Sequence, residues 1–194
     1  MTWLVADVLQ PASYSPIRQT ISALAGPGGT DRWLMTGALF LVGGCYLMTA
    51  AGLTGVRLPA RILLIIASLC SAGIAASPVT AHGPTPLHQA WTALGAVTIA
   101  IWPAVAGWGA PPRPVVVSVR GSAIVTMLFI ALLGWVVLET HGGGLGLAER
   151  VASSVQTSWP FVVALMLHRV TPPRTSRLPG RQPAPARDSD APAA

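Results

Sequence analysis

Residues 33–56, WLMTGALFLVGGCYLMTAAGLTGV, form a stretch of 24 amino acids without one charged side chain. A helix of about 20 apolar residues spans the ~30 Å hydrocarbon core of a bilayer, and within lipid a helix satisfies its own backbone hydrogen bonds. Comparable apolar segments follow at 62–77, 89–109, 121–138 and 147–167. The sequence therefore predicts an all-α protein, a polytopic transmembrane helix bundle with five full spans.

The composition agrees with a membrane protein. Of the 194 residues, 52% are hydrophobic and only 9% are charged, whereas a soluble domain carries about 25% charged residues. The formal net charge of +6 comes from Arg side chains that stand singly between the segments and in the C-terminal part. No nucleic-acid recognition motif accompanies them. We therefore expect membrane lipids as partners and no nucleic acid.

Two features precede the first span. Residues 3–9 are apolar but too short to cross a bilayer, and no basic residue precedes them, which predicts a truncated N-terminal helix rather than a signal peptide. Further on, Ser15 can serve as N-cap, Pro16 suits the first helical position and Gly26 suits the position past the end. This pattern predicts a short amphipathic helix at about 16–25, lying in the membrane interface.

The Arg distribution predicts the orientation. Cytoplasmic loops of membrane proteins carry an excess of basic residues. With the C-terminus in the cytoplasm, three Arg face outward and nine face inward, namely Arg57, Arg61, Arg113, Arg120, Arg169, Arg174, Arg177, Arg181 and Arg187. We therefore expect a multi-pass protein of the cell membrane, with an integral membrane domain at 1–170. The Pro- and Arg-rich segment 171–194 is predicted to be a disordered cytoplasmic tail.

This orientation places most polar side chains on the outer side and predicts an outward-facing polar pocket. In the last segment, polar residues at 149, 153, 156 and 157 share one helix face, and polar groups within a span usually face the bundle interior. The predicted pocket residues are Tyr14, Arg18, Asp31, Arg32, His88, Glu149, Arg150, Ser153 and Gln156.

Two roles are open for the start of the last segment. Glu149 lies in its first turn, where a carboxylate complements the helix dipole. Alternatively, Glu149 and Arg150 pair with residues of 14–32 and hold the pocket closed.

Candidate catalytic residues lie on the same side. They are His82, His88, His141, Glu139 and Glu149. The three histidines with Asp31 or Glu139 would suit zinc. However, a loop with two prolines separates His82 from His88, so no metal and no cofactor are predicted. Ser-His-Asp order, P-loop, GxGxxG and HExxH motifs are all absent.

Four pieces of the chain carry a family resemblance: YSPIRQTISAL at 14–24, DRWLM at 31–35, His88, and GLAER at 146–150. With them the chain resembles the bacterial and archaeal membrane family numbered 998 among the domains of unknown function. The resemblance implies about six transmembrane helices, with the Tyr-Ser-Pro segment following the first. It implies no established activity.

Two functional hypotheses follow. The first is a non-enzymatic accessory, binding or transport-related bundle whose outward pocket takes a lipid or small molecule. The alternative is a membrane-embedded enzyme that acts on a lipid or envelope substrate at the outer interface through the His and Glu candidates. A haem or electron-transfer protein with paired histidines is a third, weaker interpretation.

Overall fold

The computed structural model describes residues 2–77, 79–108 and 117–170, which are mostly helical and confirm the all-α class. The helices are α1 (Thr2–Val8), α2 (Arg32–Gly52), α3 (Leu58–Ala76), α4 (Pro86–Gly107), α5 (Val119–Leu138) and α6 (Leu145–Val170). Short 3-10 helices occupy Ile21–Ala25 and Glu139–His141. Val79–Thr80 and Gly83–Pro84 form a small antiparallel hairpin. The predicted tail at 171–194 lies outside the described residues.

Among the described residues, four helices are long and apolar enough to cross a membrane: α2, α3, α4, and α5 with the 3-10 helix that follows it. Their outer faces expose large apolar side chains, such as Met48 at 76% and Ile124 at 70%. Such continuous apolar surfaces are unfavourable in water and fit a membrane protein. Four of the five predicted spans thus meet the length and hydropathy expected of a span. α6 is a continuous helix of 26 residues but is more polar.

The predicted span boundaries shift by a few residues. The first predicted span, 33–56, ends early because Leu53–Val56 forms a turn, in which the Val56 N–H donates to the Leu53 carbonyl at 3.1 Å. The second begins at Leu58 rather than 62, with Pro59 in the first turn, where proline is favoured. The third begins at Pro86, after Thr85 accepts a hydrogen bond from the His88 N–H at 3.3 Å as N-cap.

The predicted amphipathic helix at 16–25 is wrong in extent. Only Ile21–Ala25 is helical, as a 3-10 helix capped by Thr20 rather than Ser15. Residues 15–19 form a turn instead, because their carbonyl groups accept hydrogen bonds from α6. Gly26 follows the last helical residue, as predicted.

α1 is the counterpart of the predicted truncated helix. It has seven residues, and Ala6 is buried against Leu24 and Met35. α1 therefore packs on the first 3-10 helix and on the start of α2.

The helices from α2 to α5 pack each on the next in the chain, and α6 packs against α5 and approaches α2. Gly43 lets α2 approach α3 closely, since a Cβ there would lie 3.1 Å from the Ser68 carbonyl oxygen. In the core, the Trp102 indole donates to the Ala60 carbonyl at 2.9 Å.

We use two names for the ends of the bundle. The capped end carries α1, the first 3-10 helix, the 79–84 hairpin and the 139–144 loop. The opposite end carries the turn at 53–57.

Candidate functional site

A partly open cavity of about 420 Å³ lies between the helices, next to the first 3-10 helix. Its lining side chains come from every described helix except α5 and the short 139–141 turn: Thr2, Trp3, Ile21, Ser22, Ala25, Met35, Ala38, Leu39, Val42, Tyr46, Ala67, Cys70, Ser71, Ile74, His88, Thr92, Gly95, Ala96, Ile99, Glu149, Ser153, Ser154, Gln156, Thr157 and Ser158. The deepest lining positions on α2, α4 and α6 are Tyr46, Ile99 and Ser158. They lie 13 to 14 residues from the capped end of their helices. At ~1.5 Å per residue the cavity reaches about 20 Å into the bundle.

One wall of the cavity is polar and belongs to α6. Its lining residues are Glu149, Ser153, Ser154, Gln156, Thr157 and Ser158, which include the whole polar face predicted from the sequence. The buried Gln156 amide donates to the Phe129 carbonyl at 3.3 Å. Ser154 Oγ is buried without a hydrogen-bond partner among the described residues. The lower hydropathy of α6 therefore comes in part from side chains that face this cavity.

The remaining walls are mostly apolar. α2 contributes Met35, Leu39 and Val42, and α3 and α4 contribute Ile74 and Ile99. Two polar groups on these walls are already paired, since Ser71 Oγ donates to the Leu39 carbonyl at 2.7 Å and Thr92 Oγ1 to the His88 carbonyl at 2.9 Å. The cavity thus offers an apolar surface opposite a hydrogen-bonding one.

His88 lies at the capped end of the cavity and is 3% exposed. Its Nδ1 is 3.0 Å from the Ser77 carbonyl oxygen, and its Nε2 is 3.2 Å from Ser22 Oγ. A carbonyl only accepts, so Nδ1 carries a proton and donates to the Ser77 carbonyl, while Nε2 forms a hydrogen bond with the Ser22 hydroxyl. His88 therefore joins α4 to the first 3-10 helix and to the end of α3.

Arg150 is the most heavily bonded side chain at the capped end and is 3% exposed. Its Nε and Nη2 donate to the two carboxylate oxygens of Asp7 at 3.1 and 2.8 Å. Its Nη1 donates to the carbonyls of Pro16 and Gln19, both at 2.7 Å, and of Gly146 at 3.0 Å. A guanidinium has five N–H groups, and all five have acceptors here. Arg150 thus fastens α1 and the 15–19 turn to α6.

Tyr14 completes this cluster. Its hydroxyl accepts from Arg150 Nη2 and donates to Asp7 Oδ1 at 3.1 Å. Burial raises the pKa of Tyr14 to about 12; the Arg150 charge acts in the opposite direction, and the Asp7 carboxylate adds to the rise. Tyr14 is therefore neutral at physiological pH, and the Asp7–Arg150 pair leaves the cluster without net charge.

Three neighbours of Arg150 hold the same segment. Glu149 Oε2 accepts from the Ile21 N–H at 2.9 Å, and the Leu147 N–H donates to the Ile17 carbonyl at 3.0 Å. A Cβ on Gly146 would lie 2.3 Å from the Gln19 oxygen and 2.5 Å from the Pro16 oxygen. Glycine is therefore the residue that allows this close approach. The Glu149 carboxyl group thus contacts the first 3-10 helix, which is the pairing with residues 14–32 that the second of its two predicted roles requires.

The predicted pocket residues divide into three groups. His88, Glu149, Ser153 and Gln156 line the cavity. Tyr14 and Arg150 lie in the neighbouring cluster with Asp7. A third group is exposed and lies outside the cavity lining: Arg18, Asp31 and Arg32, the last stacked 4.7 Å from the Trp33 ring.

The predicted catalytic candidates are separated. His82 and His141 are exposed and do not line the cavity. Glu139 is used within its own loop, where Oε2 accepts from the Gly144 N–H at 2.9 Å. Only His88 and Glu149 of the five line the cavity. Among the described residues, no three His, Cys, Asp or Glu side chains are grouped so that they could hold a metal ion.

Sequence reasoning missed several residues of the site. Asp7 is the buried partner of Arg150, and Ser22 is the partner of His88. Tyr46 and Ser154 line the deep part of the cavity. A signal existed for Asp7 alone, since a carboxylate inside a short apolar segment requires a cationic partner when buried. Tyr46 stands in an apolar stretch without any such signal, and Ser154 lies in the polar part of α6 but outside the polar face predicted from the sequence.

Comparison with known proteins gives one match. A family model described as "Protein of unknown function (DUF998)" matches residues 1–166, which contain the cavity and the Arg150 cluster. No curated protein and no solved structure matches the chain.

Proposed function

The chain belongs to the DUF998 family, and we propose that it is a membrane-embedded binding protein whose cavity holds a small amphiphilic molecule. The observation that carries this proposal is the cavity itself, with apolar walls from α2, α3 and α4 opposite the polar wall of α6. An amphiphile matches both surfaces at once, because its apolar part avoids water and its polar part forms hydrogen bonds.

The size of the cavity supports this function. Small-molecule sites have volumes of roughly 300–1,000 Å³, are mostly apolar, and contain a few polar groups that orient the ligand. The volume of about 420 Å³ and the mixed lining fit that description. An accessory or transport-related role would use the same site.

The arrangement of polar side chains supports binding better than catalysis. An enzyme brings its acid, base and nucleophile within reach of one reacting atom. Here His88 has its two ring nitrogens engaged, and Glu149 holds the Ile21 N–H. His82, His141 and Glu139 do not line the cavity.

Our proposal includes a fifth span and an orientation. α6 has 26 residues, or about 39 Å at ~1.5 Å per residue, which is long enough to cross a bilayer. Most of its polar side chains at 149–158 line the cavity. We propose that the protein lies in a bacterial-type cell membrane with its C-terminus in the cytoplasm. In this orientation most Arg side chains lie on the cytoplasmic side, and the capped end faces outward.

Lipid analysis of the purified protein tests the binding function. The protein is purified in mild detergent, and bound molecules are extracted and identified by mass spectrometry. The matched variants are Ala96→Leu, which places a larger side chain in the cavity wall of α4, and Ala93→Leu, which adds the same atoms on the exposed face of that helix.

We expect an amphiphile to co-purify with the wild type and with Ala93→Leu, and to decrease at least about fivefold with Ala96→Leu. Both variants should show the same helical content by circular dichroism. Equal retention by the two variants, or no bound molecule in any sample, would contradict the proposal.

A further inference from the structure

We propose that the cavity selects an uncharged, hydroxyl-bearing lipid and excludes anionic lipids. This inference rests on the binding function proposed above and adds the chemical class of the ligand. It is carried by the charges around the cavity and by the unpartnered hydroxyl of Ser154.

No permanently cationic side chain lines the cavity among the residues that the structure describes. The lining contains neither Arg nor Lys. Arg150 is buried and follows the lining residue Glu149 in the chain. However, all its N–H groups are bonded, and Asp7 balances its charge. Phosphate and carboxylate groups are bound in proteins by cationic side chains with free donors. A buried anionic head group would therefore have no counter-charge here.

The acidic residue on the described lining, Glu149, provides no counter-charge for an anion either. Glu149 reaches the cavity at its capped end, with Oε2 bonded to the Ile21 N–H. In either protonation state Glu149 supplies no positive charge, and desolvating an anionic head group in the cavity costs free energy that no counter-charge offsets. Both ring nitrogens of His88 are already bonded to the protein, so the ring has no free donor for an anionic head group.

Hydroxyl groups on the α6 wall provide the partners that an uncharged head group needs. Ser154 Oγ is buried in the cavity wall and lacks a partner within the described part of the chain. A buried hydroxyl without a hydrogen bond costs free energy, and rotation of the Ser154 side chain toward a ligand hydroxyl in the cavity would remove that cost. Ser153, Thr157 and Tyr46 also line the cavity and carry hydroxyl groups. These groups act as both donors and acceptors, which suits an alcohol.

A pair of lipids that differ in one phosphate tests the selection. A monoacylglycerol carries two hydroxyls, and the lysophosphatidic acid with the same acyl chain carries a phosphate in place of one. Wild-type protein in nanodiscs of zwitterionic lipid is titrated with each, and binding is measured by displacement of a radiolabelled monoacylglycerol. Ser154→Ala removes the unpartnered hydroxyl from the cavity. Thr126→Val is the matched control, because Thr126 Oγ1 on α5 is the other described buried hydroxyl without a partner and does not line the cavity.

We expect the monoacylglycerol to bind at least about tenfold more tightly than its phosphorylated counterpart. Ser154→Ala should weaken monoacylglycerol binding about 3- to 10-fold, as the loss of one hydrogen bond predicts, while Thr126→Val should leave it unchanged. Equal or tighter binding of the lysophosphatidic acid overturns the inferred class while the binding function stands, provided that Ala96→Leu abolishes that binding. If neither lipid binds and no amphiphile co-purifies, both the inference and the binding function fail.

Discussion

Arg150 binds Asp7 through two parallel hydrogen bonds, Nε to Oδ2 at 3.1 Å and Nη2 to Oδ1 at 2.8 Å, across 143 positions of the chain. The Arg150 side chain is 4% exposed, and the Asp7 side chain is 14% exposed. It joins the first described helix to the last one and lies beside the end of the cavity. Through Trp3, whose ring is 5.6 Å from the guanidinium carbon and which also lines the cavity, the pair contacts the wall of the site.

Removal of Arg150 should therefore loosen the whole capped end. Arg150→Ala leaves the Asp7 carboxylate and the Pro16 and Gln19 carbonyls without their donor, and breaking a buried ion pair costs about 3–5 kcal/mol. In a chain of this size that corresponds to a decrease of roughly 6–20 °C in Tm. Thermal unfolding in mild detergent measures it. Arg18→Ala is the control, since Arg18 is exposed and should change the stability by less than about 0.5 kcal/mol. Equal Tm values for the two variants would show that the cluster does not stabilise the fold.

Gly146→Ala should displace the 15–19 turn from α6. The added methyl group would lie 2.3 Å and 2.5 Å from two backbone oxygens, so the turn has to move, at a cost of about 1–3 kcal/mol. We expect faster proteolysis or hydrogen exchange within residues 14–25. Gly143→Ala is the matched control in the neighbouring loop, where a Cβ meets nothing within 4 Å. Unchanged protection of residues 14–25 in Gly146→Ala would contradict the close approach.

Tyr14 should lose its proton at a higher pH than an ordinary tyrosine, and the stability of the folded protein should decrease at alkaline pH. Its pKa is about 12 in the folded protein, against a usual value of 10.0. The folded state holds this proton more tightly than the unfolded chain, so its contribution is complete below about pH 10 and is lost as pH rises toward 12. Since the protein has two tyrosines, the difference in phenolate absorbance between wild type and Tyr14→Phe isolates the titration of Tyr14. A midpoint near 10 would refute the burial of its hydroxyl beside Asp7.

The sequence predicted the membrane helices because their signal is local. A run of apolar residues identifies a span without knowledge of its neighbours, and α2 and α5 appear within a few residues of their predicted ends. The first 3-10 helix was predicted too long because helix signals at Ser15 and Pro16 were overridden by distant partners. The carbonyls of that turn bond to Arg150 and to the Leu147 N–H, and these contacts cannot be inferred from local spacing.

The candidate site was only partly predictable for the same reason. A polar face at helical spacing in α6 indicated an inward-facing surface, and Ser153 and Gln156 line the cavity. His82 and His141 were grouped with His88 because they share one side of the membrane in the predicted topology. Residues on the same side of a membrane can still lie far apart within its plane. His82 and His141 are exposed and lie outside the cavity lining.

The orientation of the bundle is open to a direct labelling test. We expect the capped end to face outward, since the Arg excess predicts a cytoplasmic C-terminus and the 139–144 loop lies at the other end of α6. In a background with Cys45→Ser and Cys70→Ala, His141→Cys and Thr54→Cys place single thiols at exposed positions of the two ends. A membrane-impermeant maleimide added to intact cells should label the His141→Cys protein, and should label the Thr54→Cys protein only after permeabilisation. Because both thiols are exposed to solvent at a helix connection, accessibility across the membrane is the main difference between them. The reverse pattern would place the capped end in the cytoplasm and the C-terminus outside, which would require the Arg-rich end to have crossed the membrane.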